Sequence, residues 1–133
     1  MMNSRRRTAE EREARRTRRV QRETAAGTLL AKVPDLVTLD IAVHESRPDG
    51  CYDSHYIRRV VIGHAPALFE LTCTYSDCKG GGYDLTREVL AALAERRTRF
   101  EGEQPCRGQC NLLDCTRVLR YVATAEYRAA PDA

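Results

Sequence analysis

Apolar and polar positions alternate most cleanly over residues 37–44, where Val37, Leu39, Ile41 and Val43 stand against Thr38, Asp40, Ala42 and His44. That period of two predicts a β-strand with one buried face. Arg47-Pro48-Asp49-Gly50 supplies turn chemistry, since proline presets φ and glycine accepts positive φ, and β-favouring residues return over Tyr56 to Ile62. A hairpin is predicted. After Pro66, Leu68 to Thr74 sets Phe69, Leu71 and Cys73 on one face, which predicts a third strand. Asp84 then caps a helix whose stripe is Leu85, Val89 and Leu93, with Leu90 beside it and Arg87, Glu88, Glu95 and Arg96 on the outer side. Residues 101–115, rich in Gly, Gln and Cys, read as a loop. Alternation resumes over Arg117 to Arg128, with Leu119, Tyr121, Ala123, Ala125 and Tyr127 inward, as a fourth strand. This order predicts an α+β fold: a small antiparallel or mixed sheet of about four strands with one packed helix.

The first 26 residues follow a different rule. Thr8 to Thr24 are helix formers, and Glu11 with Arg15 and Glu13 with Arg16 have the spacing of helical ion pairs, but no apolar stripe runs along them. Without packing energy such a segment is expected to be a partly helical or disordered arm over 1–26, followed by a folded domain over 27–133. Gly27 and Pro34 punctuate the first apolar cluster, Leu29, Leu30, Val33 and Leu36.

Charge separates the same two parts. Residues 1–23 hold nine Arg against four Glu, whereas the rest of the chain is slightly acidic, so the net charge of +3 conceals a basic arm on an acidic body. Arg5, Arg6, Arg7, Arg12, Arg15, Arg16, Arg18, Arg19 and Arg22 are the candidates for phosphate contact with RNA or DNA, an electrostatic and sequence-independent interaction. Four interleaved Glu and the lack of any aromatic residue before Tyr52 argue the other way, toward a solvated tail. No apolar h-region follows the basic start, and no run of about 18 apolar residues occurs, so a cytoplasmic protein with no membrane partner is expected.

With no Trp, six Tyr and two Phe, the globule is short of large core residues. Six cysteines in a reducing compartment point to metal rather than to disulfides. Cys73 and Cys78 form C-x4-C, and Cys106, Cys110 and Cys115 follow about thirty residues later, with Gly80 to Gly82 and Gly108 as turn residues. Two such clusters separated by one helix make a two-part zinc site, because a thiolate tetrahedron with Zn–S near ~2.3 Å needs ligands on tight turns. Cys73 shares the parity of Phe69 and Leu71, and Cys115 that of Leu119 and Tyr121, which selects Cys73, Cys78, Cys106 and Cys115. Cys110 is the alternative fourth ligand, through its short C-x3-C turn with Cys106. The clusters resemble zinc-ribbon and treble-clef sites in ligand type alone. Four thiolates saturate the ion, so the Zn2+ is expected to be structural.

Two further sites compete. If the hairpin turns at Asp49 and Gly50, His44 and His55 stand opposite each other, with Cys51, Asp49 and Asp53 near the tip; these groups suit a second metal, or Cys51 as nucleophile with His55 as its base. Lys79-Gly80-Gly81-Gly82 ahead of a helix suggests a phosphate loop, but it lacks the G-x-x-x-x-G-K-[ST] spacing and adjoins Cys78. No acid, base and nucleophile converge by spacing. The sequence therefore predicts a non-catalytic, zinc-stabilised binding module whose arm meets nucleic acid or a nucleoprotein assembly, with a protein-interaction or structural subunit as the second reading, an enzyme at His44, Cys51 and His55 as the third, and no small-molecule substrate.

Overall fold

The computed structural model describes residues 4–47, 53–74, 78, 81–110 and 113–129, and for residues 4–8, 53 and 110 only the backbone. Helix α1 runs over Ser4–Ala26 and the single turn α2 over Leu29–Lys32. Long strand β1 (Leu36–Ser46) pairs with β2 (Asp53–Arg59), and the short β3 (Glu70–Leu71) with β4 (Tyr83–Asp84). Helix α3 (Thr86–Ala94) leads to β5 (Arg99–Pro105), the two-residue strands β6 (Gln109–Cys110) and β7 (Leu113–Asp114), and finally β8 (Val118–Tyr127). The main sheet is antiparallel with the order β2-β1-β8-β5. Among the described residues, no helix is long and apolar enough to cross a membrane.

One face of that sheet forms the core. Leu39, Ile41 and Val43 of β1 and Leu119, Tyr121, Ala123 and Ala125 of β8 are buried against Val89 and Leu93 of α3 together with Leu29, Phe69, Tyr83 and Leu85. The opposite face mixes polar residues with an apolar row of Ile57, Ala42 and Val122, and across it His44 stands opposite His55, the register expected of the hairpin. Val37 departs from the expected alternation. The register shifts between Leu36 and Thr38, so Leu36 turns inward and Val37 is 45% exposed.

The sheet also draws on different residues than the sequence pattern suggests. Within 68–74 only Glu70 and Leu71 are extended and paired, and they pair outside the main sheet. Phe69 is buried from an irregular segment whose N–H donates to Thr86 Oγ1 at 2.8 Å and whose carbonyl accepts from Leu85 N–H at 2.8 Å. The fourth sheet strand is instead β5, in the segment expected to be a loop. Its inward positions are Phe100, Gly102 and Gln104, and a side chain at Gly102 would run into the ring of Tyr121, 2.7–2.9 Å away. The tyrosine fills the space that an apolar residue on β5 would otherwise occupy.

The N-cap of α3 is Leu85, which has no capping side chain, and not Asp84 as the sequence suggests; Asp84, one residue earlier, accepts Thr86 N–H at Oδ1 at 3.0 Å. Burial disfavours the Asp84 carboxylate, but the Thr86 hydroxyl and N–H, with Arg107 and Arg22 nearby, outweigh it and lower the pKa. Its stabilising contribution is therefore complete above the unfolded value near ~3.9 and is lost as pH falls through the lowered folded value. Asp84→Ala is expected to cost about 1 kcal/mol at neutral pH, measured by urea denaturation.

α1 stops at Gly27, which adopts φ of +78°. Gly27 O accepts from Ala67 N–H and Ala65 O from Leu29 N–H, both at 2.8 Å, so the end of α1 is tied to the 65–67 segment. Arg19, Glu23 and Ala26 are partly buried, whereas every side chain described from Ala9 to Arg18 is exposed. The arm is thus a continuous helix held at its C-terminal end, with ion pairs Arg16–Glu13 at 3.3 Å and Arg19–Glu23 at 3.0 Å along it.

Candidate metal centre

Strands β5 and β8 continue one register past Pro105 and Val118. Cys106 N–H donates to Arg117 O and Cys115 N–H to Gly108 O, each at 2.8 Å, before β6 and β7 pair beyond them. Residues alternate faces along an extended chain, so Cys106, Gly108, Cys115 and Arg117 lie on the side of Phe100, Leu119 and Tyr121. Cys73 follows β3 and Cys78 precedes the glycines leading into β4. The two halves of the chain meet here.

The Sγ atoms of Cys73, Cys78, Cys106 and Cys115 all lie within 4.8 Å of one another. Cys78 and Cys106 are 3.6 Å apart and Cys73 and Cys115 4.0 Å apart. A disulfide requires ~2.05 Å. A tetrahedron with Zn–S bonds of ~2.3 Å has edges of ~3.8 Å, between the two observed separations. The donor set and spacing therefore fit a four-coordinate metal ion. Among the described residues this is the one group of three or more His, Cys, Asp or Glu whose ligand atoms converge. The backbone of Cys110 lies in β6; its side chain, and all of Cys51, fall outside the described residues.

Electrostatics favour a cation here. Burial raises the pKa of the Cys78 thiol, and its neighbours Cys106, Cys115 and Cys73 raise it further. Burial likewise raises that of Cys115, against the opposing N–H of Arg117. Burial also opposes the Cys106 thiolate, but backbone N–H groups of Gly108 and Gly82 with the Cys78 thiol outweigh it and lower the value; Gly108 N lies 3.4 Å from Cys106 Sγ. Four thiolates this close repel one another strongly, and a divalent ion removes that repulsion.

Glycine is required at two positions under the sulfurs. A Cβ on Gly108 would collide with Cys78 Sγ and stand 2.5 Å from Gly81 Cα, and one on Gly81 would collide with Cys78 Sγ and stand 2.8 Å from Cys106 Sγ. Gly108→Ala is therefore expected to lower metal occupancy at limiting metal by at least about tenfold, read by competition with a chromophoric chelator.

A buried polar cluster adjoins the centre, and the sequence patterns had not singled it out. Glu45 is 1% exposed and Arg117 3% exposed. Glu45 Oε1 accepts from Thr74 Oγ1 and, at 3.3 Å, from Thr74 N–H, and it lies 3.8 Å from Arg117 Nη1. Thr74 follows Cys73, and Arg117 lies two residues beyond Cys115. Burial, and then the Glu45 carboxylate, raise the pKa of Tyr83. Charged residues on inward parity, Glu45 after Leu39, Ile41 and Val43, and Arg117 before Leu119, were the available signal.

The other candidate residues are placed as follows. His44 and His55 are exposed and meet edge to face with ring centroids 5.8 Å apart. Asp49 and the side chain of Asp53, like Cys51, lie outside the described residues, so that constellation is described only in its histidines. Lys79 and Gly80 lie outside as well, while Gly81 and Gly82 border the sulfurs. Arg12, Arg15, Arg16 and Arg18 are exposed on α1, and Arg22 pairs with Glu70 at 3.0 Å; the side chains of Arg5, Arg6 and Arg7 are outside the described set. The chain is thus of α+β class with a four-cysteine cluster in which Cys106 and Cys115 are buried and Cys73 and Cys78 half-buried. No protein-family model, curated protein or solved structure matches it.

Proposed function

We propose that this chain is a non-catalytic binding module whose body is stabilised by a zinc ion on Cys73, Cys78, Cys106 and Cys115, and whose arginine-rich helix contacts nucleic acid or a nucleoprotein assembly. The observation that supports it is the convergence of four sulfurs at separations close to a tetrahedral edge. Such a site has no open position for water or substrate, so the ion acts on folding and not as a Lewis acid. Exposed Arg12, Arg15 and Arg18 make no ion pair among the described residues, which leaves their charge available to a polyanion.

Elemental analysis of the purified protein is expected to find about one zinc per chain, and cobalt(II) replacement to give thiolate charge-transfer bands of a tetrahedral site. Protein without bound metal whose thiols all alkylate at once would overturn the reading. A second reading, an arm that docks on an acidic protein, draws on the pairs Arg16–Glu13, Arg19–Glu23 and Arg22–Glu70, in which this helix already binds carboxylates.

A further inference from the structure

A cleft of about 370 Å³ separates the last turns of α1 from the glycine segment of the metal centre. Arg19 and Arg22 line one wall, Arg107 another, and Gly81 and Gly82 bring bare backbone to it. Arg107 is exposed, follows Cys106 directly, and has no ion pair among the described residues. Arg19 gives only Nε to Glu23, and Arg22 gives Nε and Nη2 to a single oxygen of Glu70, so donors remain on both guanidinium groups. Three carboxylates, Glu23, Glu70 and the nearby Asp84, balance the formal charge of these three guanidinium groups, so the cleft offers oriented N–H donors and the excess positive charge lies along α1.

The cleft is also the end of a longer feature. At 100° per residue Arg12, Arg15, Arg19 and Arg22 lie within about 80° of one another on α1 and span ~15 Å. Glu10 and Glu13 fall on the back and far flank of the helix, whereas Glu11 and Glu23 lie at about 20° from Arg22 and Arg12 respectively, at the edges of the stripe. The stripe thus carries an excess of arginine bordered by two carboxylates, and it leads into the cleft. A lone phosphate would fill only the cleft. A chain of phosphates would follow the whole stripe.

We infer that the cleft between α1 and the Gly81–Gly82 segment seats a backbone phosphate of a nucleic acid strand, held by Arg107 with Arg19 and Arg22, while neighbouring phosphates follow the Arg12–Arg15 stripe. The inference rests on the proposed nucleic-acid contact and adds its location. It also links the two halves of the module, since the metal centre fixes Arg107 and both glycines in place.

The test is fluorescence anisotropy of the full-length, metal-loaded protein with labelled single-stranded and duplex oligonucleotides of about 20 nucleotides over a salt series. Arg107→Gln, with unchanged metal content, is expected to weaken binding roughly tenfold and to reduce the slope of log K against log salt by about one. Arg12→Gln/Arg15→Gln should reduce that slope by about two. If the wild-type protein binds neither oligonucleotide, the nucleic-acid reading itself fails. If it binds and Arg107→Gln binds equally well while the double variant is impaired, the cleft assignment alone fails. Competition by polyglutamate as effective as by oligonucleotide of equal charge assigns the cleft to acidic protein and overturns the inference. An NMR titration of the wild-type protein avoids any folding effect of the variants: the Gly81 and Gly82 amides should shift with oligonucleotide, and shifts confined to α1 would overturn the assignment.

Discussion

Withdrawal of the metal by a strong chelator is expected to abolish the cooperative thermal transition of the body or to lower its midpoint by tens of degrees. Apparent zinc binding free energies of ~10–16 kcal/mol for structural sites are as large as the ~5–15 kcal/mol that holds a typical domain together. Beyond the bonds that extend β5 and β8 to Cys106 and Cys115, little regular structure holds the segments that carry the sulfurs. β3 with β4 and β6 with β7 are pairs of two-residue strands, far too short to persist alone. Cys106 and Cys115 are themselves part of the apolar core, so their release opens the inner face of β5 and β8. Cys115→Ser should behave like chelation, whereas Cys110→Ser should retain metal and stability. Near-UV dichroism and melting curves with and without metal decide the first point, and metal content of the two serine variants the second. Unchanged melting of metal-free protein would contradict the structural role; metal loss in Cys110→Ser but not in Cys115→Ser would replace the ligand set. The exposed part of α1 should keep its helical far-UV signal throughout, because none of its side chains from Ala9 to Arg18 packs on the body.

How much of this was legible in the sequence depended on whether side chains followed a strict period. β1, α3 and β8 are periodic, and their buried faces, Leu39 to Val43, Leu85 to Leu93 and Leu119 to Ala125, are those that the patterns select. β5 was illegible because its inward row contains Gly102 and Gln104, and the missing volume comes from Tyr121 on the neighbouring strand. No local pattern records that exchange. Phe69, Leu71 and Cys73 have strand parity, but tertiary hydrogen bonds to Thr86 and Leu85 fix the Phe69 backbone instead of the main sheet. At the candidate centre, parity along β8 places Cys115 beside Leu119 and Tyr121, and burial agrees. The approach of Gly81 to Gly108 under the sulfurs joins residues far apart in sequence, which spacing within either cluster does not encode. The arginine stripe on α1 was present at helical spacing, but composition, which averages over the helix, hides it.

Arg117→Met is expected to destabilise the protein by roughly 3–5 kcal/mol, a fall in melting temperature of about 10–20 °C at this size. With Arg117 and Glu45 almost fully buried, the substitution strands the carboxylate in the core, where the Thr74 N–H and hydroxyl still donate to it. Hydrogen bonds from Thr74 offset part of that penalty but supply no opposite charge. The paired variant Glu45→Met/Arg117→Met removes both charges and should recover most of the loss, because desolvation of the pair consumes much of its mutual attraction. Metal affinity separates a purely structural pair from one that also positions the ligands. Thr74 adjoins Cys73 and the Arg117 N–H faces Cys115, so the stable double variant should still bind zinc more weakly than wild type if the pair holds both cysteines in place. Thermal melts of the two single variants and the double complete a cycle for stability, and chelator competition on the same proteins gives the second reading. A double variant as unstable as Arg117→Met would mean that packing around these side chains, and not the stranded charge, dominates.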